Sequence, residues 1–345
     1  MKFSLFVHME RVSADEPQQR LYQEMLELCQ IADENGMHAI WTGEHHGMDF
    51  TIAPNPFLNL VDLARRTKNV RLGTGNVVAP FWHPIKLAGE AAMADLIMDG
   101  RLDLGIARGA YSFEYDRMSP GLDAWTAGQK MRELIPAIKG LWAGDYAHNG
   151  EHWQFPKTTS APKPVQQPFP PIWVAARDPN SHDFAVANGC NVQVTPLHMG
   201  DEEVVSLMER FNAACAAHPE MPRPKIMVLR HTYVADSEAD ADLGAEELNL
   251  FYNYFGAWFL NKRPISQGLI ETLTPEEVAS HPFYSAAAMR KNNIVGQPAE
   301  VIARIKSYQD LGYDEFSLWI DSGMSFARKK ASLTRFVQDV MPAFV

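Results

Sequence analysis

The sequence predicts an α/β fold, a (β/α)8 TIM barrel with a helical insertion between strands 7 and 8. Three observations predict it. Eight short apolar runs alternate with helical patterns along the 345 residues, and such alternation builds a parallel sheet. No glycine-rich dinucleotide fingerprint follows the first run, which weakens the alternative of an open doubly wound sheet. The runs end in polar or ionisable residues, most plainly in Trp41-Thr42-Gly43-Glu44-His45-His46. A barrel places reactive groups at the C-terminal mouth of its sheet in this way.

The elements follow in order. Phe3-Ser4-Leu5-Phe6-Val7-His8 is the first strand. Leu21, Met25, Leu28 and Ala32 recur at helical spacing, and Asn35-Gly36 stops that helix. Ala39-Ile40-Trp41 is strand two. Asn55-Pro56 opens a helix with a capping side chain and a proline at the first helical position. Strand three covers 70–78, and the helix after His83-Pro84 presents Leu87, Ala91, Ala94 and Met98 on one face. Leu102, Leu104 and Ile106 alternate along strand four, which leaves through Arg108-Gly109-Ala110-Tyr111. A helix over 126–142 and a hairpin over 146–155, turning at Asn149-Gly150, come next. Six prolines in 156–171 mark a surface connection.

Ile172-Trp173-Val174-Ala175-Ala176 is strand five, and its helix begins near Ser181. Val192 and Val194 mark strand six, and 225–233 is strand seven. Val301, Ile305 and Tyr308 carry a helix that stops at Gly312. Strand eight is Glu315 to Ile320, with a closing helix to about Met341. Residues 236–294 exceed an ordinary loop and hold Phe251, Tyr252, Tyr254, Phe255, Trp258 and Phe259. These suggest helices that cap the mouth and line an apolar cavity. The same rings can equally serve to pack those helices together. No boundary divides the chain, so 1–345 reads as a single domain.

Composition excludes several classes. A chain that is 46% hydrophobic and 21% charged is ordinary for a globular protein. Its formal net charge of -11 argues against nonspecific binding to nucleic acid or an anionic membrane. Cys29, Cys190 and Cys215 form neither a metal spacing nor a disulfide framework, and suit a reducing cytoplasm. The apolar run at 3–7 is too short for a signal peptide, and no apolar stretch reaches membrane-spanning length.

Collected at one mouth, the strand ends are Glu44-His45-His46, Thr74-Gly75-Asn76, Arg108-Gly109-Ala110-Tyr111, and Ala176-Arg177-Asp178 with Ser181. They describe a site for something large, flat and anionic. Arg108 and the helix start near Ser181 can hold a phosphate, although an arginine at a rim can equally pair in a salt bridge. Gly73 and Gly75 allow close backbone approach to a ring. Adjacent histidines on an extended chain point to opposite sides, so one of the pair faces the cavity. A pair of packed, satisfied histidines is the plainer alternative. Glu44, His45, His46 and His83 are metal-ligand types, yet no H-x-H or HExxH spacing occurs and no metal is expected.

These residues resemble the bacterial luciferase-like flavin monooxygenases, nearly end to end. The likeness rests on Met1-Lys2-Phe3, Trp41 with Glu44-His45-His46, and Gly73-Thr74 before His83-Pro84. It continues through Gly105-Ile106-Ala107-Arg108-Gly109 with Tyr111, and Pro171-Ile172-Trp173-Val174-Ala175. It closes with Val295-Gly296-Gln297-Pro298 and Asp339-Val340-Met341-Pro342. The resemblance implies reduced FMN from a separate NAD(P)H-flavin reductase, and O2 activated as a flavin peroxide that inserts one oxygen atom into a small organic substrate. It implies His45 as the catalytic histidine, with Glu44 grouped beside it. It implies Arg108 and Ser181 at the phosphate, and Gly75-Asn76 against the flavin ring across a non-prolyl cis peptide. Thr74, Gly109, Ala110, Tyr111, Ala176 and Arg177 complete the expected cofactor contacts. A homodimer or homotetramer is expected. Ala107 replaces luciferase's cysteine and Arg177-Asp178 its Glu-Ser, so light emission is not expected. The alternatives are an F420-dependent dehydrogenase of the same fold, and a non-catalytic flavin-binding subunit.

Overall fold

Alternating side chains along each strand sort into two apolar layers, and that sorting closes the sheet. Leu5, Ile40, Val174, Val192, Val228 and Phe316 pack outward against the surrounding helices. Phe6, Trp41, Trp173, Met227 and Trp319 fall on the other face. In the computed structural model, which describes residues 1–260 and 262–344, these strands are β1 (Lys2–Val7), β2 (Ala39–Thr42), β3 (Arg71–Thr74) and β4 (Leu102–Ala107). They continue as β5 (Ile172–Ala175), β6 (Asn191–Val194), β7 (Ile226–Val234) and β8 (Glu315–Trp319). Each pairs in parallel with the next, and β8 returns to β1 with Phe3 opposite Phe316 and Leu5 opposite Leu318. The predicted barrel is therefore observed.

Three local differences bear on the site. Strand three is not continuous over 70–78. It stops at Thr74, and Val77–Val78 pairs separately with β4, opposite Ile106 and Ala107. The Gly75–Asn76 peptide between the two pieces is cis. A helix that the sequence reading left out, Ser112–Met118, follows Tyr111 directly. The helix after β5 begins at Pro179 rather than near Ser181, because the Asp178 side chain accepts from the Ser181 amide and caps it.

The insertion between β7 and β8 opens with a long helix, Glu238–Leu260. A short antiparallel pair follows, Ile265–Ser266 with Leu269–Ile270, then helices Pro275–Ala279 and Ala286–Asn292. Ile294–Gly296 then extends the sheet beside the end of β7. The long helix turns its rings onto the barrel mouth. Phe255 stacks on Phe50 with centroids 5.1 Å apart, and Phe259 meets Tyr111 at 5.0 Å. Trp258 meets Phe113 at 5.4 Å. Burying Phe255 and Trp258 stabilises the closed cap by about 2–3 kcal/mol each, while Phe259 stays exposed.

Candidate active site

His45 and His46 leave β2 on opposite sides. His45 stands against Tyr111 at 5.2 Å, His8 at 5.5 Å and Phe50 at 5.6 Å. His46 instead meets Phe81 at 5.5 Å. One carboxylate serves both: Glu114 Oε2 lies 3.0 Å from His45 Nδ1, and Glu114 Oε1 accepts from the His46 amide at 2.8 Å. A carboxylate only accepts, so the network assigns the His45 proton to Nδ1 and leaves Nε2 as an acceptor. Glu114 is buried on the short helix Ser112–Met118. The sequence reading missed it along with that helix. The available signal was an acidic residue in a first helical turn, just past a site tyrosine.

Glu44 has other work. Its Oε2 accepts from the Val78 amide at 2.9 Å and Trp82 Nε1 at 2.8 Å, and its Oε1 lies 2.6 Å from His46 Nε2. Oε2 thus ties the β2 exit to the segment after Asn76, and Oε1 holds His46 within that exit. Burial disfavours the charged form of His46, but the bond and charge of Glu44 outweigh it and raise the imidazole's pKa. His83, a ligand type in the sequence, caps the helix Pro84–Ile97 by accepting from the Ile85 amide.

The β3, β4 and β5 exits adjoin because these strands are neighbours. Thr74 Oγ1 donates to the Gly105 carbonyl at 2.7 Å and accepts from its amide at 2.8 Å, locking β3 to β4. Gly75 sits where a Cβ would lie 2.8 Å from Phe6 Cε2. Asn76 Nδ2 donates to Gln193 Oε1. Gln193 Nε2 is buried and has no hydrogen-bond partner among the described residues. Gln193 was also missed. Its signal was alternation: with Val192 and Val194 on the outer face, the residue between them must face inward.

Arg108 is exposed at the β4 exit and donates to the Ala124 carbonyl at 3.0 Å. Gly109 follows with φ 92°, and Tyr115 Oη donates to the carbonyls of both. Ala110 is exposed and Tyr111 buried. Arg177 is exposed at the adjacent β5 exit, just past the buried Ala176. The Ser181 hydroxyl donates to the Asp178 carbonyl at 2.7 Å and accepts from the Arg177 amide at 3.0 Å. Burial of Asp178 is outweighed by hydrogen bonds from Ser181, which hold its carboxyl below the usual range. The mouth thus joins two exposed guanidiniums at one rim, a buried amide donor with no partner among the described residues, and an oriented imidazole beneath an aromatic cap. Such a donor set fits a phosphorylated planar cofactor with a reacting edge near His45.

A parallel barrel furnished in this way belongs to the class of barrel proteins that can hold a flat anionic cofactor at the mouth. The chain belongs to the luciferase-like monooxygenase family, whose model matches residues 1–315. It is an enzyme, a flavin-dependent monooxygenase. It is 73% identical over 344 residues to the oxygenase component of a flavin-dependent trigonelline monooxygenase from Acinetobacter baylyi, covering 100% of this chain and 96% of that one. It is similar to the crystal structure of monooxygenase RslO1 from Streptomyces bottropensis, with TM-score 0.80, 28% identity and full coverage of both chains. The fold is shared with the oxygenating constituent of 3,6-diketocamphane monooxygenase from Pseudomonas putida in complex with FMN. There the TM-score is 0.78 at 20% identity, over 99% of this chain and 98% of that one.

Proposed function

We propose that this chain is the oxygenase component of a two-component system that uses reduced FMN and O2 to oxygenate trigonelline, the N-methylpyridinium carboxylate. The observation that carries the reading is 73% identity, across the whole chain, to an oxygenase component named for that substrate. The proposal includes a separate NAD(P)H-flavin reductase and a homodimer or homotetramer. It places the enzyme in the cytoplasm, a reading supported by its three free cysteines.

Each residue then has a task. Arg108 and Arg177 hold the phosphate, with Ser181 joining them if its hydroxyl turns from the Asp178 carbonyl. Asn76 and Gln193 present amide groups to the ring, and Gly75 brings the backbone against it. Bound reduced FMN supplies the electrons that activate O2. His45, oriented through Nδ1 by Glu114, takes or gives a proton at Nε2 during oxygen insertion. Phe50 and Phe255, both buried, keep water from the reacting atoms. The test is turnover with purified chain, a flavin reductase, NADH, FMN, labelled O2 and trigonelline. One labelled oxygen atom should enter the product by mass spectrometry. Oxygen consumption that yields only hydrogen peroxide would overturn the substrate assignment.

A further inference from the structure

Glu10 lies beyond β1, buried at 6% exposure, in the aromatic roof of the barrel mouth. Its Oε1 accepts from Trp319 Nε1 at 2.9 Å and lies 3.4 Å from His8 Nδ1. Its Oε2 has no hydrogen-bond partner among the described residues. The nearby Lys329 is already held by Asp321 at 2.8 Å. Lys329 attracts Glu10 but is shared with Asp321, and Glu10 Oε2 keeps no direct partner among the described residues.

Its surroundings are rings. His8 lies 5.3 Å from both Phe50 and Trp319, and Trp319 lies 5.9 Å from Phe255. The Tyr252 hydroxyl, also buried, has no partner among the described residues. His45 adjoins the same enclosure through Phe50 and His8. A carboxylate with one unpartnered oxygen, set among aromatic rings, is chemistry that recognises a quaternary nitrogen cation.

We propose that Glu10 is the group that selects a substrate with a positively charged ring nitrogen and seats that nitrogen beside His45. The inference rests on the substrate reading above and deepens it. Burial, reinforced by the charge of Asp321, pushes the Glu10 carboxyl well above its usual range. Burial and the charge of Asp321 thus disfavour the carboxylate form, and a cation seated beside Oε2 favours it, releasing any proton the acid holds. The competing explanation is that Glu10 serves only as an acceptor for Trp319, a task that a glutamine amide oxygen performs equally well.

Calorimetric titration of the FMN-loaded chain separates the two. The probes are trigonelline, N-methylpyridinium, and nicotinate, which lacks the methyl group and the ring charge. Glu10→Gln should weaken binding of both cationic rings by about thirtyfold or more and leave nicotinate bound as well as before, or better. Glu10→Asp keeps the charge and should keep the preference for the cations, so the test survives if the glutamine variant melts early. Unchanged affinity of Glu10→Gln for N-methylpyridinium would overturn the proposal. So would a wild-type chain that binds nicotinate as tightly as trigonelline. If N-methylpyridinium binding depends on Glu10 but trigonelline is not converted, the cation site stands and the substrate reading falls. If trigonelline is converted with the same affinity in Glu10→Gln, the substrate reading stands and the cation site falls.

Discussion

His45 must hold its proton on a known nitrogen to act at the other. Its 3.0 Å contact with Glu114 does this, and Glu114 is itself buried. His45→Ala should leave FMN affinity nearly intact while product formation falls by about a hundredfold or more. The lost oxygen should appear as hydrogen peroxide, measured beside product in the same assay. Wild-type product with no added peroxide would make His45 a packing residue. Glu114→Gln keeps the shape but not the acceptor pair, and should cut kcat by about tenfold with KM for the substrate unchanged. Glu114→Asp should recover part of that loss. A fall in KM-weighted binding without a fall in kcat would count against the orienting role.

Elements decide what these side chains can reach. The β4 and β5 exits bring Arg108 and Arg177 to one rim because their strands are adjacent in the barrel. Arg108→Ala should raise the FMN dissociation constant about tenfold to a hundredfold, as loss of a charge-assisted contact requires. Fluorescence titration with FMN checks it, and unchanged affinity in a folded variant would remove Arg108 from the phosphate. The helix Glu238–Leu260 acts as the cover. Phe255 is buried between Phe50, Phe251 and Phe259. Phe255→Ala should lower stability by about 3 kcal/mol and raise the share of O2 lost as peroxide, because water then reaches the mouth. Thermal melts and peroxide assays report the two effects separately.

At the scale of the whole molecule, the barrel also buries charge at its floor. Glu315 opens β8 and accepts from Trp41 Nε1 at 3.1 Å. Burial pushes its carboxyl from 4.5 up to about 7. Between those values the folded state keeps a proton that the unfolded state has lost, so stability falls as pH rises through that window. The loss is on the order of 3 kcal/mol and is complete above about pH 7. Glu315→Gln keeps the acceptor for Trp41 and should flatten this slope, leaving the variant more stable than wild type at pH 8. Denaturant titrations at pH 5, 6.5 and 8 measure it, and parallel slopes for the two proteins would refute the assignment.

Eight apolar runs alternating with helical patterns were enough to predict a closed parallel barrel. Each such strand is buried on both faces, and its pattern is local. Strand ends are equally local, which is why His45, Arg108 and Arg177 could be read directly as residues of one mouth. The partners of those residues were not local. Glu114 stands 69 positions from His45, Gln193 stands 117 from Asn76, and Glu10 stands 309 from Trp319. Only strand order and closure bring such pairs together. The break in strand three likewise depends on a pairing with β4 that no hydrophobic period records, whereas the helix start at Pro179 follows a local Asp178-Pro179 cap that the sequence reading passed over. The chain's own pattern thus determined the scaffold and the reactive side chains. The tertiary structure decided which carboxylate orients which ring, because hydrogen bonds across a barrel carry no spacing along the sequence.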